Sequence, residues 1–206
     1  MDREADPADP ADAADVTVTV SESGRLRSQL SRLEGMFPGY RTEIVEGAAL
    51  VIGPVKPHHA KTIRAVWNAL EVQLPDEWDF ISDVTIPFDA ANEFCPDLAV
   101  IPRAESERNL SAYPPDLVEL AVEVVSPGSV RNDYEIKGRA YARRGIPHYL
   151  ILDPYQAHCV TLWNPGPDGY LGRDTIPYGR PVVVETGIGK VALDTAELPV
   201  DPAARP

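Results

Sequence analysis

The sequence is poor in cysteine, short of positive charge and without any long apolar run. Its two cysteines, Cys95 and Cys159, lie far apart and outside any CxxC or CxH unit. That excludes a zinc finger or ribbon and a disulfide framework, and predicts a reduced pair of small core residues. No segment approaches the ~18 consecutive apolar residues of a membrane span. The opening residues, MDREADPADPADAADV, are acidic and rich in Pro and Ala, the reverse of a secretory or transit peptide. These absences predict a soluble, cytoplasmic chain with no membrane partner.

Positive charge is scarce: 19 Lys and Arg stand against 32 Asp and Glu, a net charge of −13. Broad binding to a polyanion needs an excess of cations to displace phosphate counterions. Six acids of the first fifteen residues against Arg3 account for −5, leaving −8 for the rest. Any contact with nucleic acid must therefore be local or bridged by a metal cation. Three familiar sites are also missing. Gly187-Ile188-Gly189-Lys190 is followed by Val191, and Val184 stands where a phosphate-binding loop needs its first glycine. There is no GxSxG nucleophile elbow. Adjacent His58 and His59 cannot share a metal from one helix, because neighbours point about 100° apart.

What remains is an apolar fraction of 44% in 206 residues, enough for one domain with a proper core. The alternating Asp, Pro and Ala of residues 1–20 predict a disordered acidic tail. Residues 21–197 read as one domain and 198–206 as a loose end. Leu26, Leu30 and Leu33 predict a helix over about 23–36. Tyr40–Glu46 and Ala48–Ile52 read as strands turning at Gly47. Pro57 opens a longer helix with a stripe of Ile63, Val66, Trp67, Leu70 and Leu74, ended by Pro75. Strands are expected at Trp78–Phe88, Asp97–Ile101, Leu117–Val125, His148–Asp153 and His158–Trp163, with shorter runs near Val182 and Lys190. A helix over about 131–144 would complete a βαβ-like unit across 117–153. The fold class is α/β (α+β), a mixed central sheet flanked by helices.

The informative residues are two carboxylates on neighbouring apolar strands and a lysine in the next helix. Asp97 opens Asp97-Leu98-Ala99-Val100-Ile101, and Glu123 lies near the end of the nearly all-apolar 117–125 strand. Burying an ionised carboxylate costs several kcal/mol unless a partner or a metal compensates. A divalent cation shared by the two would do so; a salt bridge from Glu123 to Arg139 or Arg143 is the alternative. Glu119 lies about 13 Å along the strand from Glu123 and is expected at an edge or in solvent. Lys137 flanks the stripe of Ile136, Ala140 and Tyr141 and can reach the strand end where Glu123 points. Two carboxylates holding Mg²⁺ and a lysine beside the attacking water are what phosphodiester hydrolysis needs. Arg131, Arg139, Arg143 and Arg144 form a basic cluster on the same helix, which is most simply a solvated face.

These residues resemble the PD-(D/E)XK nuclease superfamily. More narrowly, they resemble the bacterial restriction endonuclease family formerly classed as a domain of unknown function. The likeness runs from about Tyr40 to Trp163. It rests on Glu43–Gly47, the Pro57-His58-His59 helix start, Pro96-Asp97 and Glu123-Val124-Val125-Ser126-Pro127. Asp133, Lys137, Tyr141, Gly145-Ile146-Pro147-His148-Tyr149 and a strand ending at Asp153 continue it. The resemblance implies a restriction-endonuclease-like fold and Mg²⁺-dependent hydrolysis of DNA, with Mn²⁺ as a substitute. It assigns Asp97 and Glu123 as metal ligands. The lysine usually found two residues after the glutamate is replaced by Val125, and the resemblance implies that Lys137 supplies it as the third catalytic residue. Glu43 matches an acidic accessory position, or is a hairpin carboxylate in solvent. His59 matches a histidine that would contact phosphate or act as a helper base, or is a surface group. Val125 keeps open a second reading, a nuclease-fold binding module without catalysis. A twofold homodimer would suit an enzyme that cuts both strands.

Overall fold

The computed structural model describes residues 22–38, 40–53 and 55–201. The expected acidic tail lies outside them. The first helix, α1 (Glu22–Met36), precedes a hairpin of β1 (Arg41–Val45) and β2 (Ala48–Ile52). Glu46 and Gly47 both take positive φ at its tip, as a two-residue hairpin turn requires. Next comes α2 (Pro57–Gln73), with proline in its first turn as expected. Its buried face is His59, Thr62, Val66 and Leu70. Trp67, placed in the stripe by spacing, is instead 40% exposed and meets Phe80 edge-on.

The segment read as one strand, 78–88, divides between two sheets. β3 (Trp78–Ile81) pairs with β6 (Leu98–Pro102), whereas β4 (Ile86–Asp89) pairs with β5 (Asn92–Phe94). The bend between them includes Asp83 at positive φ, and periodicity alone does not reveal such a corner. The short α3 (Arg103–Ser106) leads towards β7 (Leu120–Val124). A π-helical stretch, Asn132–Lys137, runs into α4 (Gly138–Arg143) and then β8 (His148–Asp153). Gly145 ends that helix at φ 74°, where a residue with a Cβ would be strained. β9 (His158–Gly166), β10 (Gly169–Pro177), β11 (Val182–Thr186) and β12 (Gly189–Leu193) follow.

The central sheet is mixed, in the order β10-β9-β8-β7-β6-β3, with β7 and β8 parallel and the other pairs antiparallel. The helix between β7 and β8 makes the expected βαβ unit. A second, antiparallel sheet has the order β2-β1-β5-β4. Alternate residues of the central strands feed two separate apolar layers. Leu98, Val100, Leu120, Val122, Leu150 and Leu152 meet Val66 and Leu70 of α2. Ala99, Ile101, Ala121, Tyr149 and Ile151 meet Ile136, Ala140 and Tyr141. A strand covered on both faces is apolar throughout, which explains the runs seen in the sequence. Leu70 is fully buried, so Leu70→Ala should cost about 2–5 kcal/mol in urea denaturation.

Both cysteines are free and buried. The loose end expected from Leu198 is corrected over its first residues. Leu198 is buried in the α2-side layer, and the Asp201 amide donates to the Pro154 carbonyl at 3.0 Å. Among the described residues no helix is long and apolar enough to cross a membrane.

Candidate functional site

The side-chain alternation that splits the core also aims the site. Residues 97 and 123 share the parity of Ala99, Ala121 and Val125, so both face the layer containing Tyr141. The β6–β7 register pairs Leu98 with Val122, and one further step sets Asp97 beside Glu123. Both line a cavity of about 370 Å³ at the strand ends, together with Arg41, Glu43, His59, Asp133 and Lys137.

Each carboxylate has its own partners. Asp97 Oδ1 accepts from the Arg41 guanidinium at 2.9 Å. Its Oδ2 accepts from the Val124 amide at 2.7 Å and lies 3.2 Å from His59 Nε2. Burial disfavours the Asp97 anion, but the His59 hydrogen bond and the Arg41 charge hold its carboxyl well below the usual range. Glu123 Oε1 accepts from Lys137 Nζ at 2.9 Å and from the Tyr141 hydroxyl at 2.8 Å. Glu43 Oε1 accepts from the Cys95 amide at 2.9 Å and lies 3.3 Å from Lys137 Nζ. Asp133 lies 3.6 Å from the same ammonium and accepts from the Ser129 hydroxyl.

Lys137 does not merely flank the buried stripe: it is 2% exposed, at the centre of three carboxylates. Glu43 is as buried as Glu123, which discards its reading as a solvent carboxylate, and His59 is buried rather than on the surface. Neither Arg139 nor Arg143 reaches Glu123: Arg139 approaches Glu46, and Arg143 donates to the Pro167 carbonyl. Glu119 is partly buried outside the cavity and accepts from the Gly187 amide at 2.8 Å.

Three contributors had no site role assigned from sequence: Arg41, and Asp133 and Tyr141, which the resemblance includes without a role. A signal for two of them was present, because Ser129, Asp133, Lys137 and Tyr141 recur every fourth residue and so share one helix face. The π-helical turn there is a distortion often found at functional sites. Arg41 is two residues before Glu43 on β1 and therefore on its face, but nothing in the sequence links it to Asp97. Replacing Tyr141 by Phe removes one donor from Glu123 and keeps the ring stack on Phe88. The expected cost is about 1–3 kcal/mol in thermal or chemical unfolding.

Four buried carboxylates, Glu43, Asp97, Glu123 and Asp133, outnumber the two permanent cations, Arg41 and Lys137. The surplus shows in the titration of the site. Burial pushes Glu123 up to about 8; Lys137 opposes this, and Asp97, Asp133 and Glu43 add to it. Burial likewise raises Asp133 to about 6, against Lys137 and the Ser129 hydrogen bond. A set of hard oxygen donors with excess negative charge suits a divalent cation. Asp97 and Glu123 could hold such a cation. The ligand shell is not preformed: among the described residues no three His, Cys, Asp or Glu groups already stand as a metal cluster. The reason is visible in the ion pairs, since Lys137 and Arg41 take up the carboxylate oxygens.

The sequence profile of the family described as "Uma2: Putative restriction endonuclease" matches residues 27–196. Among solved structures, the chain is similar to the crystal structure of a putative nuclease belonging to DUF820 from Anabaena variabilis ATCC 29413. The two share 13% identity with a TM-score of 0.53, over 69% of this chain and 80% of the other. At that identity the likeness concerns the fold. No curated protein matches the chain.

Proposed function

The chain belongs to the Uma2 family of putative restriction endonucleases, and from that premise we propose that it is a Mg²⁺-dependent endonuclease hydrolysing DNA phosphodiester bonds. The observation that carries this reading is the buried cluster of Glu43, Glu123 and Asp133 around Lys137, with Asp97 held by Arg41 beside it, in an open-ended cavity. A protein needing only stability would be served as well by apolar residues at these positions, because buried ion pairs give back little more than their desolvation cost.

Asp97 and Glu123 would hold the cation, with Glu43 as a further acidic group. Such a cation supplies positive charge to the phosphodiester oxygens and acidity to the attacking water. Lys137 brings a fixed ammonium to the same place, where it offsets the negative charge that develops as the phosphate is attacked. It thereby does from the helix what a lysine at position 125 would do from the strand. Arg41 and the Val124 amide orient the Asp97 carboxylate, and Tyr141 orients that of Glu123; a bound cation would displace part of the Arg41 and Lys137 contacts to these oxygens.

The test is nicking of supercoiled plasmid with Mg²⁺ or Mn²⁺. Asp97→Ala and Glu123→Ala should each lower the rate by at least about 10²-fold. Absence of nicking by the unaltered protein with both ions, or equal nicking by the variants, overturns the reading in favour of a binding module that keeps the nuclease fold.

A further inference from the structure

The first two turns of α2 carry an unusual charge pattern for so acidic a chain. Lys56, Lys61 and Arg64, with His58 and His59, occur there, and no Asp or Glu lies between Lys56 and Glu71. The buried residues of the helix, His59, Thr62, Val66 and Leu70, fix its orientation. His58, Lys61 and Arg64 follow one another at three-residue steps on the outward side, and Lys61 and Arg64 are exposed.

Two further observations, taken together, separate this patch from an ordinary solvated face. The first is location: Lys56, His58 and His59 line the cavity that holds Asp97 and Glu123, so the stripe begins at the mouth of the site and leads away from it. The second is pairing. Among the described residues, Arg27, Arg108, Arg131, Arg144 and Lys190 are paired with carboxylates, whereas the exposed Arg25, Arg32, Arg173 and Arg180, like Lys61 and Arg64, are not, and none of those four lines the cavity. Among the described residues, the side chains of Lys61 and Arg64 make no hydrogen bond or ion pair.

We infer that Lys56, Lys61 and Arg64 form a track for the phosphodiester backbone of the nucleic acid whose scissile bond enters the cavity. The eight residue steps from Lys56, at the N-cap of α2, to Arg64 span about 12 Å. That matches a rise of three to four base pairs at about 3.4 Å each along the duplex axis. The track answers how an acidic protein approaches a polyanion: it places unpaired positive charge on one helix beside the site, in a chain whose net charge is otherwise repulsive. Lys56 is held 3.4 Å from Asp201 at the cavity mouth, so its release to a phosphate exchanges one anionic partner for another. The inference rests on the nuclease reading for the identity of the ligand.

The experiment measures binding apart from hydrolysis. A fluorescein-labelled 20-base-pair DNA duplex is titrated with protein in Ca²⁺, followed by anisotropy at several salt concentrations. Lys61→Ala/Arg64→Ala should weaken binding several-fold, and the slope of log K against log salt should fall by about 2, near 0.9 per lost phosphate contact. Arg108→Ala/Lys190→Ala removes the same charge from exposed sites away from the cavity and should leave the slope unchanged. Equal slopes for the two double variants overturn the track even if the unaltered protein nicks DNA. Binding that depends on the track in a protein that never nicks upholds the inference while the hydrolytic reading fails. No binding by the unaltered protein overturns both.

Discussion

Replacement of Lys137 by alanine is expected to cost the metal-free protein about 3–5 kcal/mol in chemical denaturation. The ammonium is the only cation within 4.0 Å of Glu43, Glu123 and Asp133 among the described residues, and all three carboxylates are buried. Without it they repel one another in a medium that screens poorly. The variant protein should then take protons, with its remaining stability falling steeply above neutral pH. Two comparisons separate charge from volume. Lys137→Met fills similar space without charge and should be nearly as destabilised. Millimolar Ca²⁺ or Mg²⁺ should raise the unfolding temperature of Lys137→Ala by more than that of the unaltered protein, because the ion replaces the lost cation. In the proposed reaction the variant should lose about 10²–10³-fold in rate even when metal restores its stability. A stable, metal-insensitive alanine variant would show that the cluster is held by something other than this ammonium.

The second large effect is on pH. Glu123 ionises near its ordinary 4.5 in the unfolded chain and at about 8 in the folded protein. Between those values the unfolded state has lost the proton and the folded state keeps it, so stability falls as pH rises and stays lowered above 8. Asp133 acts in the same direction between 3.8 and about 6. Asp97 acts oppositely: its carboxyl is depressed, so its contribution is complete above 3.8 and is lost as pH falls below that value. The metal-free protein should therefore be most stable near pH 4–5 and lose roughly 2–5 kcal/mol by pH 8. Many proteins are most stable between about pH 5 and 8, so the trend is diagnostic. Calorimetry across this range in EDTA measures it. Millimolar Mg²⁺ should flatten the decline, because a cation at Asp97 and Glu123 competes with the proton and gains most where the proton has gone. A flat profile without metal would mean that the surplus carboxylate charge is neutralised in another way.

The parts of the site legible in the sequence are those built within one local unit. Glu123 and Lys137 are fourteen residues apart, at the end of a strand and in the helix that packs back over it. The apolar run around Glu123 announces burial, and buried charge announces a partner. Asp97 was legible for the same reason, at the mouth of β6. Arg41 was not: it meets Asp97 across 56 positions and from a different sheet. Glu43 was legible only as one of two readings, an accessory acid or a solvent carboxylate, and the second sheet decides between them by folding its hairpin against Cys95.

The sequence by itself determined the βαβ unit, the proline-started α2 and the pair of Asp97 and Glu123, because side-chain period and desolvation cost are properties of a short stretch of chain. The shortage of cations was likewise plain from composition. Tertiary structure alone decided which cations are spent on carboxylates and which stay free. Period says which face a residue takes, but not what covers that face. Only the assembled sheets bring Arg41 to Asp97, enclose Lys137 among three acids and leave Lys61 and Arg64 unpaired beside the cavity.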